Sequence, residues 1–238
     1  MDKNYQTDTN YKVYFPEKGK VAFTEWPMPE VGDDELLLKA ELTQISTGTE
    51  MTVLSGGWLT YEVPFPCYDV GYSNYGTVVA IGKNLPKEYL GKKMMTINNH
   101  QKYSIVKNTP DRAYHDMVFV PEGADPEDVV FATLAVVANA SIRGSEIRPG
   151  EACVVYGAGI VGQMVARLAK LAGSTNIIVV DVSDQRLSMV PKDPCFITVN
   201  SSTTNVPKFV KEMFPTDGGV PYVFETTGVG ALAQEELT

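Results

Sequence analysis

The sequence predicts a barrel-like all-β domain followed by a doubly wound α/β domain. Three observations carry this reading. Short β-rich runs separated by Gly, Pro, Asn and Asp fill the first half. The pattern turns helical near Pro121. From Ala152 onward, continuous apolar runs alternate with helical periodicity.

In chain order, YKVYF, KVAFTEW, ELLLKAEL, GTVVAIG, KKMMTI and KYSIV read as strands. Asp125-Pro126-Glu127-Asp128 is a helix start: Asp125 caps, Pro126 suits the first turn, and the acids face the positive end of the dipole. The helix is expected to run on through VVFATLAVVANASI, until Arg148-Pro149-Gly150-Glu151 turns the chain into the next strand. ACVVY, NIIVV, CFITV and PYVFE are buried strands of a parallel sheet. Between them lie two helices, IVGQMVARLAKLA and NVPKFVKEMF. The first places Val161, Met164, Val165, Leu168 and Ala172 on one stripe.

Composition narrows the function classes. Of 238 residues, 44% are hydrophobic and 21% charged, as in a globular protein. No apolar run is long enough to span a bilayer, and the polar start MDKNYQTDTN gives no secretory signal, so a cytoplasmic protein without membrane partners is expected. Acids outnumber bases 29 to 20, and without a basic stripe no nucleic-acid partner is expected. Cys67, Cys153 and Cys195 show neither metal spacing nor a disulfide framework, and Cys153 and Cys195 read as small buried hydrophobes.

Gly157-Ala158-Gly159-Ile160-Val161-Gly162 matches G-x-G-x-x-G directly after a predicted strand and at the start of a predicted helix. In that setting Gly157 permits the tight turn, Gly159 lets backbone approach a pyrophosphate, and Gly162 lets the helix pack close to the sheet. Ile160 and Val161 then open a helix whose free N–H groups favour phosphate. Asp181 ends the second strand, close to the roughly 20-residue offset of a ribose-binding acid. It also reads as a solvated strand end or as a cap for the next helix. Methyltransferases share such a loop and acid, but an all-β half in front does not suit them.

The chain resembles the medium-chain dehydrogenase/reductase superfamily along nearly its whole length. The resemblance rests on RPGEACVVYGAGIVGQMVARLAKLAG, the trailing VVDVSDQRL and the closing PYVFETTGVGAL. It implies a chaperonin-10-like (GroES-like) β-barrel substrate domain over 1–124, a linking helix over 125–144 and an NAD-binding Rossmann domain over 145–238. It also implies that Thr227 and Gly228 lie near the nicotinamide and Arg186 near the adenine. NAD is expected over NADP, because Asp181 would face the 2′-phosphate.

Departures from the zinc enzymes of this family are specific. Their Cys-Gly-Thr-Asp stands here as Thr47-Gly48-Thr49-Glu50, their Gly-His-Glu as Gly71-Tyr72-Ser73, and their linking-helix acid or cysteine as Ala132. Thr, Tyr and Ala are not ordinary zinc donors, so no zinc is expected. ISTGTE and GYSNYG resemble a zinc-free branch that includes bacteriochlorophyllide a dehydrogenase.

Without zinc, other groups must serve the carbonyl or the alcohol proton. Thr49 matches the family's hydroxyl relay and reads equally as a strand threonine. Tyr72 stands at a former ligand position, as a phenol donor or as a filler of the vacated space. His100 suits acid/base work by its titration range and reads also as a structural histidine. His115 is a lesser candidate, and Glu50 reads as a loop anchor. The expected function is hydride transfer between NAD(H) and a small secondary alcohol or ketone. Alternatives are reduction of an activated double bond and a non-catalytic dinucleotide-binding remnant.

The sequence stops in GALAQEELT, after four strands of a sheet type that normally has six. A C-terminally truncated Rossmann domain is therefore expected, with homo-oligomerisation or aggregation through its uncovered edge and weak NAD affinity.

Overall fold

The computed structural model describes residues 3–58, 61–107, 118–215 and 220–229. His115 and the closing GALAQEELT fall outside these residues. The chain divides into two compact units, Met1–Thr133 and Leu134–Thr238.

In the first unit a 3-10 turn at Lys3–Thr7 precedes β1 (Asn10–Tyr14) and β2 (Ala22–Trp26), an antiparallel pair. Then follow β3 (Glu35–Thr43), α1 (Thr49–Leu54), the short pair β4 (Gly57–Trp58) and β5 (Tyr61–Glu62), and β6 (Asn74–Ile81). β7 (Lys93–Thr96), β8 (Tyr103–Lys107) and β9 (Val118–Phe119) follow among the described residues. β3, β6, β7, β8 and β9 form one antiparallel sheet in the order β8-β3-β6-β7-β9. Leu36, Leu38, Val78, Leu85, Met94 and Val106 form its buried core. Bridges from Phe15 to Cys67 and from Lys12 to Gln101, with Tyr68 stacked on Tyr14 at 5.1 Å, tie β1 to the segments after β5 and before β8.

The expected continuous helix is in fact two helices, α2 (Pro126–Val129) and α3 (Ala132–Ser145). Asp125 caps α2 by accepting the Glu127 N–H. The break has a physical cause: the Val130 carbonyl accepts the Ser73 hydroxyl, and the Phe131 N–H reaches back three residues to Asp128 instead of four.

The second unit alternates strand and helix: β10 (Ala152–Tyr156), α4 (Ile160–Leu171), β11 (Asn176–Asp181), α5 (Asp184–Leu187), β12 (Phe196–Asn200), α6 (Val206–Met213) and β13 (Tyr222–Glu225). All four strands are parallel in the order β12-β11-β10-β13. Counted within the unit this is 3-2-1-4, the order of a Rossmann-type sheet. The apolar runs are continuous because both faces are covered. Cys153, Val155, Ile177 and Val179 join one buried cluster, while Val154, Tyr156, Ile178 and Val180 join another on the opposite face. Ile177→Ala in such a core costs about 2–5 kcal/mol.

Two details differ from the sequence expectation. The deepest line of α4 is Gly162, Val165, Ala166 and Ala169, with Val161, Met164, Leu168 and Ala172 partly buried beside it. The small residues lie closest because they let helix and sheet approach. Cys153 is buried as expected, and burial pushes its thiol up to about 11. Cys195 instead precedes β12 and is half-buried, with its N–H donated to the Asp193 carboxylate.

Candidate functional site

In the second unit β10 ends at Tyr156 and α4 begins at Ile160, leaving three residues to reverse the chain. Gly157 does so at φ +98°, where a Cβ would lie 2.6 Å from the Thr226 hydroxyl. A Cβ on Gly162 would collide with the Gly157 carbonyl. Gly159 faces open space, and a Cβ there would meet no atom within 4 Å. The first and last glycines thus serve the protein's own packing, and the middle one leaves room for something outside it. Among the described residues no side chain caps α4, so the amides of its first turn, at Ile160 and Val161, remain for an anion.

Two side chains brace this loop. Asp181 Oδ2 accepts the Ala158 N–H at 2.8 Å, and Oδ1 accepts the Ser183 N–H at 2.8 Å. Its side chain is only 4% exposed, and the guanidinium of Arg186 lies 3.7 Å away. The carboxylate expected to meet a ribose is therefore also the anchor that holds the glycine loop to β11. Thr226, which sequence reasoning passed over, donates its hydroxyl to the Tyr156 carbonyl at 2.7 Å from the end of β13. Its only sequence signal is a small hydroxyl residue directly after a parallel strand. Thr227 and Gly228 follow in a turn whose N–H groups are both accepted by the Glu225 carboxylate, at 2.6 and 3.2 Å.

In the first unit Thr49 is the first residue of α1, not a strand threonine. Its hydroxyl lies 3.4 Å from the Tyr72 phenol, which donates to it. Both residues are half-buried, and the neighbouring Thr47 and Gly48 are exposed. Tyr72 is set by its successor: the Ser73 hydroxyl holds the Val130 carbonyl, and the Thr133 hydroxyl lies 3.1 Å from Ser73 and 3.5 Å from the Tyr72 carbonyl. His100 does not join this hydroxyl pair. It turns inward, and its Nε2 lies 3.0 Å from Glu50 Oε2. Glu50 in turn accepts the Ser46 N–H at 2.9 Å, which makes it the loop anchor expected.

The three positions that correspond to zinc ligands hold Thr47, Tyr72 and Ala132. None carries an ordinary zinc donor. Among the described residues, no group of three or more His, Cys, Asp or Glu stands together in a way that could hold a metal ion. The residues present do not fit zinc. Nor, among the described residues, is any helix long and apolar enough to cross a membrane.

A parallel sheet in this order, with a glycine loop opening an uncapped helix, defines a dinucleotide-binding unit. Residues 161–238 match the zinc-binding dehydrogenase family. A zinc-type alcohol dehydrogenase-like protein of Escherichia coli, YdjJ, is 25% identical over 92% of this chain and 70% of its own length. Among solved structures, an oxidoreductase/dehydrogenase of unknown specificity from Escherichia coli superposes with a TM-score of 0.83 at 20% identity, covering 96% of this chain and 73% of that one. Escherichia coli quinone oxidoreductase complexed with NADPH superposes with a TM-score of 0.77 at 16% identity, covering 94% and 68%. The chain is similar to dehydrogenases of the medium-chain dehydrogenase/reductase superfamily, and these likenesses support an oxidoreductase.

Proposed function

We propose that this chain is a zinc-independent member of its superfamily that transfers hydride between NAD(H) and a secondary alcohol or ketone. The observation that carries the reading is the Tyr72–Thr49 hydroxyl pair, standing where metal chemistry would otherwise be served. The first unit is read as a chaperonin-10-like substrate domain over 1–124, joined through 125–144 to the NAD-binding domain over 145–238. ISTGTE and GYSNYG support placing it in the zinc-free branch.

When bound, the nicotinamide supplies or takes the hydride. The chain's own residues manage position and protons. The α4 N-terminus and Gly159 hold the pyrophosphate, Asp181 and Arg186 border the adenosine end, and Thr227 and Gly228 border the nicotinamide. At the other reaction partner the Tyr72 phenol donates to the carbonyl oxygen. As that oxygen becomes an alkoxide it takes the phenol proton, and the phenolate recovers one from solvent through Thr49 Oγ1. The exposed Thr47–Gly48 segment supports that exit. The 3.4 Å separation is long for a hydroxyl pair.

NAD preference rests on Asp181. Two unit charges 4 Å apart repel by about 4 kcal/mol at an effective dielectric of 20, and the nearby Arg186 offsets part of this, leaving about tenfold in affinity.

A panel of secondary alcohols and ketones, followed by nicotinamide absorbance, tests the reading. Turnover by wild type and a loss of about a hundredfold in kcat for Tyr72→Phe is the expected result. Wild-type kcat in that variant removes the phenol from the chemistry. One tightly held zinc per purified chain overturns the zinc-independent assignment.

A further inference from the structure

We propose that the buried His100–Glu50 pair is a positioning device that holds the Thr49 and Tyr72 hydroxyls together. The inference rests on the hydroxyl-pair reading above and adds the residues that set its geometry. His100 and Glu50 side chains are 5% and 8% exposed and meet at 3.0 Å. A carboxylate only accepts, so His100 Nε2 carries the proton it shares with Glu50.

Each partner is fastened to one of the two catalytic segments. Glu50 follows Thr49 in the first turn of α1, and its other oxygen fixes Ser46 ahead of that turn. The His100 ring packs on Gly71, immediately before Tyr72, and its backbone N–H donates to the Val70 carbonyl at 2.7 Å. A Cβ on Gly71 would stand 2.5 Å from the ring, and Gly71 sits at φ +91°. The pair is therefore a strut from the segment carrying Thr49 to the turn carrying Tyr72.

The arrangement has costs that a space-filling residue would avoid. His100 Nδ1 is buried with no hydrogen-bond partner among the described residues, and a carboxylate is buried beside it. Apolar residues at positions 50 and 100 together would fill the volume with neither cost. Local costs that converge on one place are the mark of a site built for more than packing. The polar strut supplies direction: the Nε2–H to Oε2 bond fixes both the distance and the rotation of α1 against the 70–72 turn.

The experiment reads Tyr72 itself. Protein labelled at tyrosine Cζ is compared by NMR in wild type and variants, with the Tyr72 signal assigned by its loss in Tyr72→Phe. Thr49→Val marks where the signal lies when the hydroxyl contact is gone. His100→Leu is expected to move the signal towards that position, whereas His100→Gln, which keeps a donor near Nε2, is expected to leave it near wild type. Glu50→Ala, which removes the acceptor, serves as a second disrupting variant should His100→Leu not fold. A Tyr72 signal unmoved in a folded disrupting variant, or moved as far by His100→Gln as by Thr49→Val, overturns the proposal. No substrate is needed. Wild-type turnover by Tyr72→Phe would therefore remove the phenol from the chemistry while leaving this measurement to decide the strut.

Discussion

The two units hold their reactive groups by opposite means. In the second unit the groups offered to a ligand are backbone amides, and side chains brace them from behind. Asp181 grips Ala158 and Thr226 grips the Tyr156 carbonyl, so the loop keeps its shape before anything binds. In the first unit the groups offered are side-chain hydroxyls at 3.4 Å, and the bracing is a second layer of side chains, Ser73 with Thr133 and His100 with Glu50. A backbone site is rigid and generic: it depends on glycine spacing more than on side-chain identity. A side-chain site is adjustable and specific, because each hydroxyl can be exchanged without refolding the sheet. In the proposed zinc-independent reading, the scaffold keeps its cofactor loop while Thr47, Tyr72 and Ala132 stand where the resemblance places metal ligands.

The largest effect that would sharpen this contrast lies in the glycine loop. Gly162→Val drives a side chain into the Gly157 carbonyl, so backbone must move. Overpacking of this kind costs about 1–3 kcal/mol, and displaced amides should weaken NADH binding by about a hundredfold or more. Fluorescence titration with NADH measures the affinity, and a thermal melt measures the cost. Affinity that survives the substitution would mean the amides of α4 do not carry the phosphates.

Thr49→Val should do the reverse. It keeps shape and removes one hydroxyl, so kcat and kcat/KM for a ketone should fall together by about tenfold to a hundredfold while NADH affinity stays at the wild-type value. A change in NADH affinity alone would break the division of labour between the units.

What the sequence made visible follows the same division. Gly157, Gly159, Gly162 and Asp181 were legible because backbone demands are local: a tight turn and a close helix each require glycine at a set spacing. The alternation of β10 to β13 was legible because continuous apolar runs of that length have few other homes. Thr49 and Tyr72 were legible only through resemblance, and as separate candidates. Their meeting depends on α1 and the turn before β6, segments joined by non-local pairing. The inward turn of His100 was hidden for the same reason, since nothing near position 100 announces a carboxylate at position 50. The split of the helix after Asp125 was hidden too, because the group that ends α2 is Ser73, far away in sequence.

Asp181 offers a third and smaller test, because it does two jobs at once. Its oxygens brace the loop, and its charge, with Arg186 at 3.7 Å, borders the adenosine end in the proposed cofactor site. Asp181→Asn keeps an oxygen for the Ala158 N–H and removes the charge. It should bring NADP affinity to within about twofold of NAD, closing a gap of about tenfold. Loss of affinity for both cofactors would show that bracing outweighs charge at this position.

The smallest expected effect compares the units under acid. Each carries one surface carboxylate held down to about 2 by a lysine: Asp8 by Lys102 and then the Tyr103 phenol in the first, Asp193 by Lys170 and then the Cys195 N–H in the second. A carboxyl held lower in the folded state than in the unfolded chain binds fewer protons when folded, so stability rises with pH through its titration. The contribution is complete above the ordinary carboxyl value of 3.8 and disappears as pH falls towards 2. Both sites are partly exposed, with side-chain exposures of 31% for each acid, so solvent and salt screen the effect and only a modest shift is expected. Urea midpoints at pH 6, 4 and 2.5 should decline for wild type, and Asp8→Asn or Asp193→Asn should lose part of that decline while lowering the pH 6 midpoint. Asp8 adds the Tyr103 hydroxyl at 2.7 Å and the Thr9 N–H at 2.9 Å to its lysine, while Asp193 adds Cys195. Both carboxyls are held at about 2, so the two replacements should flatten the acid slope by similar amounts, and a slope unchanged in either variant would show that its carboxylate does not contribute.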